Sequence, residues 1–92
     1  MIEDKDLEIF RYFIECYFDS DRDYSELEKA ILEMKQMELP KYSTRLLEEA
    51  KYIIKLNDWE YIHEFVYKHA FRFCGKDKLV EMIWTIIRVL SE

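Results

Sequence analysis

The chain is 92 residues long, half apolar, 16% aromatic and 37% charged, with one glycine and one proline; this bounds it to a single small domain and excludes both a disordered segment and an all-β fold of many short strands. Its formal net charge of −6 is unevenly placed, since residues 1–38 carry 12 acidic and 5 basic side chains and residues 39–92 carry 8 and 9. Such a field disfavours nucleic acid and anionic membranes as partners and would speed encounter with a basic protein surface, besides keeping a small domain in solution.

Apolar periodicity predicts an all-α fold, a compact up-and-down bundle of about five helices. The first helix runs from Asp4 or Asp6 to Phe18, with Glu3, Asp4, Asp6 and Glu8 crowding its positive end. Leu7, Ile9, Phe10, Phe13, Ile14, Cys16, Tyr17 and Phe18 span about 200° of it, wider than a two-layer core needs. Cys16, on that apolar face, is expected to be a buried free thiol. A polar link from Asp19 to Tyr24 breaks the helix, because Asp and Ser compete for backbone groups. The second helix opens on a capping box of Ser25 and Glu28 and runs to Met37, with Leu27, Ala30, Ile31, Met34 and Met37 inward and Leu32 outward. Pro40 starts the third, which reaches Leu56 and turns Leu46, Leu47, Ala50, Ile53 and Ile54 inward. Asn57 or Asp58 caps the fourth, which buries Trp59, Ile62, Phe65, Val66, Ala70 and Phe73, pairs Glu64 with Lys68, and is stopped by Gly75. The last helix, beginning after Asp77 and running to Leu90, leaves only Lys78, Glu81, Thr85 and Arg88 on a polar arc, which marks it as the central one.

Most chemical motifs fail on inspection. Asp19-x-Asp21-x-Asp23 begins like a calcium loop, but its sixth position is Tyr24 rather than Gly and its twelfth is Ala30 rather than Glu. His63-Glu64 begins like a zinc-protease signature without its second histidine. His69 faces about 240° away on the same helix and reads as a hydrogen-bonded core residue, with His63 at the rim. Cys16 and Cys74 have no metal or redox spacing, and two cysteines do not make a disulfide framework. With no nucleophile motif and one glycine, neither an active site nor a phosphate loop is expected, so no catalytic residue, cofactor or metal is assigned. The acidic N-terminus is no secretory signal and no apolar run approaches the ~20 residues of a membrane span, so a reduced, cytoplasmic protein is expected.

Tyrosines on wet faces remain: Tyr12 beside Glu8 and Glu15, Tyr24 after the acids, and Tyr52 and Tyr61 later. Tyrosine is a favoured interface anchor, although such rings also lean over a helix surface to cover the core. Charge and exposure together place a partner-binding surface on the acid loop Asp19, Asp21 and Asp23 with Glu15, Glu26, Tyr12 and Tyr24.

The stretch Phe10–Asp23 runs from an aromatic helix face through Tyr17-Phe18 and Asp19-Ser20-Asp21 into the helix that contains Ala30. It resembles the small helical immunity proteins of bacterial contact-dependent growth inhibition systems. The family stretch commonly reads Tyr-Phe-His-Gln-Asp-Trp; Tyr17, Phe18 and Asp21 match it, Asp19 and Ser20 stand at His-Gln, and Arg22 stands at Trp. The Pro-started third helix and the tryptophan of the closing helix, Trp84, are similar as well. The resemblance implies a partner: the C-terminal toxin domain of a cognate effector, often a nuclease, which the chain, a monomer or weak dimer when free, would neutralise by stoichiometric binding. Toxin-contacting residues vary within the family, so the resemblance transfers none of them. The competing expectation is a helical adaptor that binds a partner's helix through the surplus apolar arc of the first helix.

Overall fold

In the computed structural model, which describes residues 3–73 and 75–91, the chain enters through a 3-10 turn at Asp4–Leu7 that passes straight into α1 (Glu8–Cys16). A second 3-10 turn at Tyr24–Glu26 leads into α2 (Leu27–Met37), followed by α3 (Pro40–Leu56), α4 (Trp59–Ala70) and α5 (Lys76–Ser91). All five are α-helices and no strand occurs among the described residues. The expected all-α bundle is the fold, with a radius of gyration of 11.8 Å.

The packing follows from which stripes are apolar. α5 lies against α2, α3 and α4, while α1 lies against α3 and α4. Leu79, Met82, Ile83, Ile86 and Val89 of α5 are buried, facing a core that includes Phe10, Phe13, Ile31, Met34, Leu46, Ile53, Ile62 and Phe65. α5 is not enclosed all round, however, since Trp84 stays exposed. The rings of Phe10 and Phe65 stack at 5.8 Å and tie α1 to α4.

A carboxylate is buried with them. The Glu49 carboxylate of α3 accepts hydrogen bonds from the Ile9 and Phe10 N–H groups at 3.2 and 2.7 Å, two of the donors that the first turn of α1 leaves without intrahelical partners. The cap of α1 therefore comes from 39–40 residues away. Burial pushes the Glu49 carboxyl up, and the two backbone bonds pull against that shift.

Several expected boundaries move, each for a local reason. α1 ends at Cys16 rather than Phe18. The Tyr17 and Phe18 N–H groups both turn back to the Phe13 carbonyl, and Phe18 swings fully into the core. Cys16 is exposed, not buried, because an apolar arc of about 200° is too wide for the bundle to cover and one edge of it stays out. Cys74 lies outside the described residues. Ser25 and Glu28 form no capping box; Asp23 accepts from the Ser25 N–H at 3.1 Å instead, so a 3-10 turn precedes α2. α2 ends at Met37, which leaves that side chain exposed rather than inward. Leu47, Ile54 and Trp59 are only half-buried.

Gly75 does not stop α4. The helix ends at Ala70, and Phe71 takes the left-handed C-terminal position at φ 56° with its N–H on the Tyr67 carbonyl. Phe73, expected inward, is therefore exposed beyond the end of the helix. Gly75 instead belongs to the start of α5, where its carbonyl accepts from the Leu79 N–H at 3.1 Å. α5 accordingly begins at Lys76 rather than after Asp77. Lys68 reaches the Asp4 carboxylate at 3.5 Å rather than Glu64.

Candidate functional site

The acid loop between α1 and α2 is held from beneath by two arginines. Asp19 shapes its start, with Oδ1 accepting from the Asp21 N–H at 3.1 Å and its carbonyl accepting from the Arg22 N–H at 3.1 Å. The Arg22 guanidinium then turns inward. It donates to the Tyr17 carbonyl at 3.2 Å and to both oxygens of Glu33 at 2.8 and 3.0 Å, and it lies 3.5 Å from Glu26. This two-pronged pairing fixes orientation as well as distance. It holds the Glu33 carboxyl below the usual carboxylate range and raises the Arg22 guanidinium.

Arg72 arrives from the α4–α5 connection. Its guanidinium donates to the carbonyls of Asp19 and Arg22 and sits over the Phe18 ring at 4.1 Å and the Tyr24 ring at 5.8 Å. The Tyr24 hydroxyl donates to the Lys78 carbonyl of α5, and its ring meets Phe18 edge-on at 5.5 Å. Two chain segments far apart in sequence are thus bonded into one end of the bundle. Both arginines are engaged with backbone carbonyls or with Glu33 and Glu26, while the Asp19, Asp21 and Asp23 residues are exposed.

The structure keeps part of the expected surface together and disperses the rest. Asp19, Asp21, Asp23 and Glu26 share the loop and the turn after it. Glu15 is engaged elsewhere, 3.0 Å from Arg11 and 3.3 Å from His69 Nδ1. Tyr24 is a structural strut rather than a free anchor. Tyr12 belongs to a separate cluster, where its hydroxyl at 2.8 Å and that of Tyr17 at 2.6 Å donate to the same Glu38 oxygen and its ring lies 6.2 Å from Tyr42. Those two phenols hold the Glu38 carboxyl below its ordinary range, and Glu38 raises both phenols in turn. His69, expected as a hydrogen-bonded core residue, is nearly buried with its ring edge-on to Phe65 at 4.6 Å, between Glu15 and Asp4, but its Nε2 makes no hydrogen bond, Asp4 lying 3.8 Å away.

Sequence reasoning missed Arg72, the inward role of Arg22, and the exposed aromatic residues on either side of Arg72: Phe71 is 75% and Phe73 77% exposed. The adjacent aromatic-arginine-aromatic run was the available signal, but placing Gly75 at the helix stop concealed it. Among the described residues, no group of three or more His, Cys, Asp or Glu side chains is placed to hold a metal ion, and no helix is long and apolar enough to cross a membrane. No family model matches the chain, and no curated protein or solved structure matches it.

Proposed function

We propose that this chain is an immunity-type protein: a non-enzymatic, cytoplasmic helical domain that binds a cognate bacterial toxin domain, a nuclease with a basic cleft, and neutralises it by one-to-one occlusion. The observation that carries this reading is the acid loop. Three exposed aspartates stand on a backbone that Arg22 and Arg72 clamp through the Tyr17, Asp19 and Arg22 carbonyls. A surface fixed before docking loses little conformational entropy when it binds and moves little as it does so. Its negative potential steers a basic partner and competes with the nucleic acid that a nuclease cleft would otherwise hold. The resemblance of Phe10–Asp23 to the immunity proteins of contact-dependent growth inhibition supports the same reading. The adaptor alternative is left with the uncovered edge of the α1 arc at Cys16, since Leu7, Ile9, Phe10, Phe13, Ile14 and Phe18 are buried within the chain.

The test is co-purification of the tagged chain with the toxic C-terminal domain encoded immediately upstream of it, followed by titration of that domain's activity at low and high salt. One-to-one inhibition that weakens with salt is expected. Replacing Asp19, Asp21 and Asp23 together by Asn should slow association about tenfold and flatten its salt dependence. Unchanged kinetics would move the interface off the loop, and a toxin that is neither bound nor inhibited would end the immunity reading.

A further inference from the structure

We infer that a groove along the outer face of α4 is a second docking surface, built to receive a basic amphipathic helix of the partner protein. Two open hollows of about 430 and 310 Å³ share His63 and Glu64 as walls and together run from Trp59, at the start of α4, to Phe73, beyond its end. Trp59, His63 and Tyr67 recur at four-residue intervals and so line one stripe of the helix, spanning about 12 Å at 1.5 Å per residue. Three turns of a partner helix would cover the groove as far as Phe73.

The rings pack on one another although they face outward. Phe73 meets His63 edge-on at 4.9 Å and Tyr67 edge-on at 6.3 Å, while Tyr67 is 54% and Phe73 77% exposed. Large aromatic residues held in place by one another, yet left in water, bring apolar area to an interface at little further entropic cost. Phe73 lies past the last turn of α4, and the rings it meets, His63 and Tyr67, are on the outer face of that helix rather than in the core.

The charge around the rings selects the occupant. Glu60 and Glu64, one helical turn apart and both exposed, rim the hollows, with Lys76 the one cation lining them among the described residues. Arg72, the residue before Phe73, is bonded to the Asp19 and Arg22 carbonyls, so the chain that closes the groove also touches the acid-loop backbone. A segment with an apolar face flanked by lysine or arginine satisfies both the rings and the acids, which is the helix-in-groove mode of recognition. An acidic helix or a second copy of this acidic chain would meet repulsion there. The immunity reading supplies the source of that helix, namely the toxin domain; the groove itself is argued from its own residues.

The probe is a leucine–lysine amphipathic helical peptide of about 20 residues, with a leucine–glutamate peptide of the same pattern as its control, titrated against the whole chain in a Trp84→Phe background so that fluorescence reports Trp59. The lysine peptide is expected to change Trp59 emission and to bind at least about tenfold more tightly than the glutamate peptide. The double substitution Tyr67→Ser, Phe73→Ser should weaken it by about tenfold or more with helicity unchanged by circular dichroism, since both side chains lie outside the core. No binding, equal binding of both peptides, or binding that survives the double substitution overturns the inference. So does a concentration-dependent dimer in sedimentation that the double substitution abolishes, because the face would then belong to a second copy. The outcomes separate from those of the immunity reading. A chain that binds the lysine peptide through the groove but leaves the upstream toxin active retains the groove and loses that reading; full inhibition of the toxin by the Tyr67, Phe73 variant retains that reading and loses the groove.

Discussion

Two helix ends in this bundle solve one backbone problem with opposite residues. α3 and α4 each close on a residue in the left-handed region whose N–H returns to the carbonyl four residues back, Asn57 at φ 55° and Phe71 at φ 56°. Asparagine tolerates that conformation, and here its side chain also accepts from the Trp59 indole N–H at 2.7 Å. Phenylalanine is strained in it by about 1–2 kcal/mol, and its ring gains no burial in return. The first end is built for the fold; the second is built against it locally, and it carries the run Phe71-Arg72-Phe73 that fastens the acid loop. Strain that the surroundings hold in place concentrates at functional sites, and this end holds both the clamp and the exposed rings.

The largest expected effect comes from breaking the clamp. Arg72→Ala removes two charge-assisted bonds to backbone carbonyls and the cation over Phe18, so it should lower stability by at least about 2 kcal/mol in urea unfolding. Hydrogen exchange of the amides between Asp19 and Asp23 should quicken beyond the global change. Arg72→Lys, which keeps the charge but not the fork, should recover only part of both. If loop exchange followed global stability alone, Arg72 would be a core strut with no particular hold on the acids.

Exchanging the residues at the two ends tests the asymmetry itself. Asn57→Ala should destabilise by about 1–2 kcal/mol, whereas Phe71→Asn should stabilise by about 0.5–1 kcal/mol by removing the left-handed strain. Equal losses of stability at both positions would mean that the Phe71 ring supports the fold after all.

A smaller effect appears at high pH on the side of the first end. Tyr61, whose N–H is capped by Asp58 at 3.2 Å, donates its hydroxyl to Asp4; burial and that carboxylate push the phenol from 10.0 up to about 12. The native state keeps this proton while the unfolded chain, with its ordinary phenol, releases it. Stability is therefore fully present below about pH 10 and falls as pH rises towards 12. Tyr61→Phe should show a shallower decline over that interval in denaturant titrations at stepped pH. The Asp4 carboxyl, held low chiefly by the same hydroxyl, contributes with the opposite dependence: its stabilisation is lost as pH falls through and below the usual aspartate range.

What the sequence made legible follows the range of the interactions. Helix 3 was readable from end to end because both signals are local: Pro40 sits at its first turn and the chain leaves it at Asn57, beside the Asp58 cap. The three loop aspartates were readable as exposed because carboxylates are seldom buried without a paired cation. Glu49 capping α1 across 39 residues and Arg72 reaching Asp19 across 53 leave no periodic trace. The Tyr12 hydroxyl was likewise captured by Glu38, 26 residues away, so its place on a wet face did not make it part of the loop surface. Local preference also misled where a tertiary contact outweighed it, since the position that glycine favours was filled by Phe71 while Arg72 anchored the next residue.

The least perturbing substitution probes that last point. Gly75 has no positive φ, and a Cβ added to it would meet nothing within 4 Å, so neither strain nor collision opposes a side chain there. Gly75→Ala should leave the unfolding midpoint unchanged or raise stability by about 0.4–1 kcal/mol, through the lower entropy of the unfolded chain. Were Gly75 the stop of α4, the same change would force a bulkier residue into the left-handed region and destabilise by about 1 kcal/mol or more. The sign of this one difference therefore separates a glycine terminator from a phenylalanine one. Beside the stabilisation expected of Phe71→Asn, it locates the backbone strain of the α4–α5 connection at the residue next to the clamp.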